Sequence, residues 1–161
     1  MDSISDSMRA VLHASGSTRP PAHAPTARDL MPQRLITFRK DQRVREVIDA
    51  LLSHRISGGP VVDEDGALVG IVSESDCLRV LSAGAYDGED RGGQYTVEEL
   101  MTKDVSTIAP DLDVYSIAHI FIEQRRRRLP VVDEAGQLIG QVSRRDVLRA
   151  VRSMLQAARP G

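Results

Sequence analysis

Apolar positions along the chain alternate between two spacings, and the alternation occurs twice. Leu35-Ile36-Thr37-Phe38 is a short apolar run that predicts a strand. Val44, Val47, Ile48, Leu51 and Leu52 then recur at helical spacing, with Asp41 near the helix start. Gly59-Pro60-Val61-Val62-Asp63 is brief and β-branched, Glu64-Asp65-Gly66 is a turn signal, and Leu68-Val69-Gly70-Ile71-Val72 predicts the strand that closes a hairpin. Ser73 opens a further helix carrying Cys77, Leu78 and Leu81. The same order returns downstream. Val105–Ile108 predicts a strand; Val114, Ile117, Ala118, Phe121 and Ile122 line a helix; Leu129–Asp133 and Leu138–Val142 form a hairpin; Arg144–Leu155 closes the unit.

The recurrence extends to residue identity. Leu30-Met31 returns as Leu100-Met101, Pro60-Val61-Val62-Asp63-Glu64 as Pro130-Val131-Val132-Asp133-Glu134, and Gly66, Leu68 and Gly70 as Gly136, Leu138 and Gly140. Val72, Ser73, Asp76, Leu78 and Arg79 return as Val142, Ser143, Asp146, Leu148 and Arg149, always 70 positions on. About 19 of the 50 aligned positions between Leu30 and Arg79 are identical, far above chance. The predicted fold class is therefore α/β, made of tandem repeats, each strand–helix–strand–strand–helix. One half buries too little apolar surface to be comfortable alone. Two halves packed sheet to sheet around one shared core, with pseudo-two-fold symmetry, are expected. The boundaries are 1–26 (a short helix, Ser5–Ala14, then a Pro- and Ala-rich linker), 27–83 (first repeat), 84–95 (a polar, Gly-rich loop) and 96–157 (second repeat).

Composition narrows the function classes. The chain has 161 residues, 41% of them hydrophobic but only 3% aromatic, so the core is aliphatic. A formal charge of −2 gives no general pull towards nucleic acid or an acidic membrane. A single cysteine, Cys77, rules out a disulfide within the chain and fits a reducing compartment. Its counterpart Val147 argues for a buried thiol. No run of about 20 apolar residues is present and the N-terminus lacks a signal-peptide pattern, so a cytoplasmic location is expected. His13, His23, His54 and His119 do not pair at metal-ligand spacing, and no activated nucleophile or acid–base pair stands out. An enzyme is not expected.

The chemistry sits in Gly-x-Val-Ser-x-x-Asp, which ends both hairpins: Gly70–Asp76 and Gly140–Asp146. The glycine leaves room for a ligand to approach the backbone. The serine stands at a strand-to-helix junction, where free N–H groups and the helix dipole favour phosphate. The aspartate, one turn on, can accept from two adjacent hydroxyls such as those of ribose. A plain capping box explains one such motif as well; two identically placed copies favour a nucleotide. Arg125-Arg126-Arg127-Arg128 reads as a solvated helix end or a phosphate contact; a nucleic-acid contact is the third reading, disfavoured by the short run, the lack of interleaved aromatics and the slightly negative charge. The first half has Arg55-Ile56-Ser57-Gly58 there. With Arg144 and Arg145 replacing Glu74 and Ser75, the second cleft is expected to hold more phosphates than the first.

Taken together, Leu-Met, Thr, helix, Pro-Val-Val-Asp, Gly-x-Leu-x-Gly and Gly-x-Val-Ser-x-x-Asp resemble the CBS (cystathionine-β-synthase) domain family over about residues 27–155. The resemblance implies two tandem copies forming one regulatory module with two clefts that take adenosine-containing ligands: AMP, ADP or ATP, with S-adenosylmethionine or a dinucleotide as alternatives. It implies phosphate contacts from Ser73 and Ser143, ribose contacts from Asp76 and Asp146, and base pockets from Thr37, Ser57, Gly59 and Val61 in one half and Thr107, Arg127, Leu129 and Val131 in the other. It also implies a homodimer through helix faces such as Val147, Leu148 and Val151, and a protein target to which occupancy is signalled. No fused effector domain is expected, so the regulated target is not readable from the residues. An interaction module with empty clefts is the competing expectation.

Overall fold

The computed structural model describes residues 24–87 and 94–158; the expected Ser5–Ala14 helix, most of the linker and the middle of the 84–95 loop lie outside them. The elements run α1 (Ala27–Leu30), β1 (Phe38–Arg39), α2 (Val44–His54), β2 (Gly58–Val62), β3 (Leu68–Ser73) and α3 (Glu74–Asp87). The second half continues with α4 (Val97–Leu100), α5 (Val114–Gln124), β4 (Arg128–Val132), β5 (Leu138–Ser143) and α6 (Arg144–Ala157). α3 runs past the expected end of the first repeat at residue 83.

In the first half β1 pairs parallel with β2, and β2 antiparallel with β3. β4 and β5 repeat the hairpin in the same register, with Arg128 opposite Ser143 where Gly58 stands opposite Ser73. The first strand of each half is shorter than its apolar run suggests. Only Phe38–Arg39 pairs in one half, and a single bridge from Ile108 to Val131 replaces Val105–Ile108 in the other.

The hairpin turns explain part of the repeated motif. Asp63 Oδ1 accepts from the N–H groups of Asp65 and Ala67 at 2.9 and 3.0 Å, and Asp133 does the same for Ala135 and Gln137 at 2.9 Å. Gly66 and Gly136 follow at φ +82° and +80°, a left-handed conformation that favours glycine. Pro-Val-Val-Asp-Glu-x-Gly is thus strand and turn chemistry. The two turns also touch: Leu138 N–H donates to Gly66 O at 3.2 Å, and Leu68 N–H to Gly136 O at 3.5 Å.

The halves do not share one core. Each has its own, and each core is completed by a helix from the other half. Ala27 N–H donates to Leu112 O and Arg28 N–H to Pro110 O (2.8 and 3.0 Å), while Val114 N–H donates to Pro25 O (2.8 Å). Seventy positions on, the bonds are reciprocal: Val97 to Gln42, Glu98 to Lys40, and Val44 to Tyr95, each 2.9 Å. Ala27, Leu30 and Met31 therefore pack with Ile117, Phe121, Leu129 and Val142, whereas Val97, Leu100 and Met101 pack with Phe38, Val47, Val61 and Val72. Burying an aliphatic side chain contributes about 1.5–3 kcal/mol at most. Val97 and Leu100 together thus supply the first half with a term on the order of the net stability of a domain.

The exchange reassigns the repeated Gly70 and Gly140. Met101 lies against Gly70, with Sδ 2.7 Å from where a Cβ would stand, and Met31 fills the same place at Gly140. The space above each glycine is taken by a methionine and is not a ligand approach. Among the described residues no helix is long and apolar enough to cross a membrane.

Candidate functional site

Both Ser-x-x-Asp motifs form complete capping boxes. Ser73 N–H and Oγ–H donate to Asp76 Oδ2 at 2.8 and 2.9 Å, and Asp76 N–H returns a bond to Ser73 Oγ at 3.4 Å. Ser143 and Asp146 repeat this at 2.7, 2.8 and 3.2 Å. One turn further on, Arg79 donates to Asp76 Oδ1, and Arg149 to Asp146 Oδ1 at 2.9 Å. The carboxylates are buried, at 4% and 7% exposure, and compensated by these bonds.

Of the clefts beside these motifs, two hold the serine as well as the aspartate, and the helix exchange decides what lines them. The larger, about 870 Å³, holds Ser143, Arg144, Arg145 and Asp146 from the second half. Facing them are Pro32, Arg34, Leu35 and Ile36, the stretch that follows the exchanged α1, together with Arg55, Ile56, Ser57 and Gly58. The smaller, about 320 Å³, holds Ser73, Glu74, Ser75 and Asp76, facing Thr102, Asp104, Val105 and Arg126–Arg128. Ser57, Glu74, Arg127 and Arg128 border both clefts.

Besides size, the clefts differ in one backbone bridge. In the smaller cleft Ile71 and Thr102 exchange both main-chain bonds, at 2.9 and 2.8 Å. The counterparts are Gln141 and Pro32. Proline has no N–H to give, and among the described residues no bridge joins the two. Charge differs as well. Seven arginines (34, 55, 127, 128, 144, 145 and 149) line the larger cleft against Glu74 and Asp146. The smaller has Arg126, Arg127 and Arg128 against Glu74, Asp76 and Asp104. Arg128 lies where the clefts meet and donates to Ser57 Oγ; burial first, then the Arg127 charge, pushes its guanidinium below its ordinary pKa, and Glu74 opposes them. Glycine at position 58 leaves that guanidinium room, since a Cβ there would lie 2.9 Å from Arg128 Nη1.

The residues expected from the sequence divide accordingly. Ser143, Arg144, Asp146, Ser57 and Arg127 meet in the larger cleft, and Ser73, Asp76, Ser57 and Arg127 in the smaller. Arg144 also clasps the arginine run, its Nε donating to Arg126 O at 2.7 Å. Val61, Leu129 and Val131 are fully buried in the cores. Gly59 is buried under Ile36 O and the Phe38 ring, 3.0 Å from its would-be Cβ. Thr37 and Thr107 are exposed outside the lining of both clefts. Arg34, Arg55, Gln141 and Arg149 also line the larger cleft without having stood out in the sequence. Only Arg149, three positions after Asp146 in both repeats, carried a visible signal. Cys77 is buried, and burial raises its thiol pKa, aided by Asp76. His119 is exposed, 3.6 Å from Glu123.

The family model described as "CBS domain" matches residues 27–83 and 97–153. The chain is 29% identical over 151 residues to the uncharacterized protein MJ1426 of Methanocaldococcus jannaschii, covering 77% of this chain and 89% of that one. It is 35% identical over 125 residues to the inosine-5'-monophosphate dehydrogenase of the same organism, covering 78% of this chain but spanning only 23% of that enzyme. CBSX2 from Arabidopsis thaliana, solved in complex with AMP, superposes with a TM-score of 0.69 at 31% identity, covering 83% of this chain and 98% of CBSX2. The CBS domain pair of MJ0100, solved with 5'-methylthioadenosine and S-adenosyl-L-methionine, gives 0.70 at 27% identity, covering 82% and 99%.

Proposed function

We propose that this chain, which belongs to the CBS domain family, is a non-catalytic regulatory module that binds an adenine nucleotide and signals its occupancy to a protein partner. The observation that carries the reading is the larger cleft: seven arginines around the Ser143–Asp146 motif, in a volume within the range of ligand pockets. Charge-assisted bonds from guanidinium to phosphate are roughly twice as strong as neutral ones. The cleft therefore favours ADP or ATP over AMP. It disfavours S-adenosylmethionine, whose sulfonium cation would face those arginines. The solved complexes of CBSX2 with AMP and of the MJ0100 pair with two adenosine compounds support an adenosine-containing ligand in general.

The competing reading, an interaction module with empty clefts, draws on the capping boxes, which account for both Ser–Asp pairs without a ligand. Isothermal titration with AMP, ADP, ATP and S-adenosylmethionine separates the two. ATP or ADP is expected to bind most tightly, and the Asp146→Ala variant to lose that event while Asp76→Ala keeps it. Absence of binding by all four compounds overturns the nucleotide reading; undiminished binding by Asp146→Ala returns that residue to helix capping alone.

A homodimer belongs to the same proposal. Leu78 and Leu148, and Leu52 and Ile122, are large apolar side chains exposed at pseudo-symmetric positions. A second copy of the chain is the occupant they suit. Val147, expected to share that face, is only 7% exposed, whereas Leu148 is 67% exposed.

A further inference from the structure

Gln141 occupies a position where the larger cleft departs from its twin in both side chain and backbone pairing. It lies on β5 two residues before Ser143, so both side chains leave the same face of the strand. Its counterpart, Ile71, is apolar and has its main chain tied to Thr102. At Gln141 the bridge is absent and a polar side chain lines the opened space. Its Oε1 is buried and, among the described residues, is the buried side-chain oxygen or nitrogen without a hydrogen-bond partner. Buried polar atoms are paired in the great majority of cases, so an orphan on a side chain that lines a cleft points to a partner the ligand brings.

The chemistry of that partner follows by elimination, given the nucleotide reading on which this step rests. Oε1 accepts and cannot donate, so it cannot pair with phosphate oxygens, which the arginines take. The ribose hydroxyls are assigned to Asp146. The remaining donor on a nucleotide is an amine on its base. We propose that Gln141 is the specificity-determining residue of the larger cleft: Oε1 accepts from the exocyclic amine of the purine, and the amide Nε2 donates to the adjacent ring nitrogen. A glutamine amide presents one acceptor and one donor side by side, which matches that edge of adenine.

The test compares ATP with purine riboside triphosphate, which differs only in lacking the amine. The wild-type chain is expected to bind ATP tighter by on the order of tenfold to a hundredfold, the usual consequence of leaving a buried acceptor unpaired. Gln141→Ile, which installs the residue that β3 carries at the same place, and Gln141→Leu are expected to bind both compounds alike. Equal affinities in the wild type, or a preference that survives both substitutions, overturn the role of Gln141 while nucleotide binding stands. Failure of the wild type to bind either compound overturns both proposals.

Discussion

A methionine–glycine double-mutant cycle tests the exchange of helices between the halves. In Gly140→Ala the new Cβ runs into the Met31 side chain, with Cγ 2.9 Å and Cε 3.1 Å away besides the sulfur. Overpacking of this kind costs about 1–3 kcal/mol, or roughly 2–12 °C in Tm for a chain of this size. All the crowding comes from one flexible side chain, so Met31→Ala should remove most of it. The double variant should then be more stable than the sum of the single effects by about 0.5–3 kcal/mol. Gly70→Ala should cost more. Its Cβ meets Met101 Sδ at 2.7 Å and also Thr102 O at 2.9 Å, and that carbonyl is fixed by its bond from Ile71 N–H. The cycle discriminates because an unexchanged fold would place Met31 over Gly70, within its own repeat. Urea denaturation of the two single and one double variants for each pairing gives the couplings. Additivity for Met31 with Gly140, alongside coupling of Met31 with Gly70, would refute the exchanged arrangement.

Residues 27–87 alone lack Val97, Leu100 and Met101, so thermal melts should find that fragment without a cooperative transition or self-associated; mixing it with residues 94–158 should restore one transition. A well-behaved monomeric half would contradict the packing. Asp113 caps α5 through Tyr115 and Ser116 N–H, each at 3.0 Å, so Asp113→Ala should lower stability by about 1 kcal/mol in denaturant titrations. Partial burial raises the Asp113 pKa, but bonds from Ser116 and Tyr115 outweigh it and leave it below its ordinary value. Its contribution is therefore present above the unfolded value near ~3.9 and fades as pH falls through the lower folded value; Asp113→Asn should remove that part of the acid dependence. Leu78→Asp and Leu148→Asp should each convert a dimer to a monomer in light scattering, and an unchanged mass would place the interface elsewhere.

The sequence carried the fold further than the site. Periodicity and the offset of 70 located the helices and hairpins, because Val44, Val47 and Leu51 or Leu68, Gly70 and Val72 answer to local rules. The exchange was not legible. A perfect repeat offers Met31 the same surface at Gly70 and at Gly140, and nothing local chooses between them. That choice decides which residues line each cleft. Pro32 and Gln141 gain meaning only when α1 crosses to the second half and both come to line the larger cleft. Val61, Leu129 and Val131 were assigned to base pockets by resemblance, but strand alternation sends them into the cores. Ser57, Arg127 and Arg144 were legible as cleft residues, since the run from 125 to 128 breaks the repeat in charge where the backbone keeps it.

The capping box and the proposed ribose contact would share one carboxylate but use different oxygens of it. A carboxylate offers about four acceptor positions. Asp146 Oδ2 spends two on Ser143 N–H and Oγ–H, and Oδ1 spends one on Arg149. One position is left, and a ribose diol brings two donors. Arg149 is the partner that can yield, because its side chain is 60% exposed and reaches Asp146 from the helix surface, whereas Ser143 is held by the strand that ends there. The cap therefore keeps Oδ2 in either case, and Oδ1 is the oxygen that Arg149 could release. If the larger cleft takes the proposed nucleotide, Asp146 would serve twice: the Ser143 bonds hold Oδ2 for the helix cap, and displacing Arg149 would free Oδ1 for the ribose.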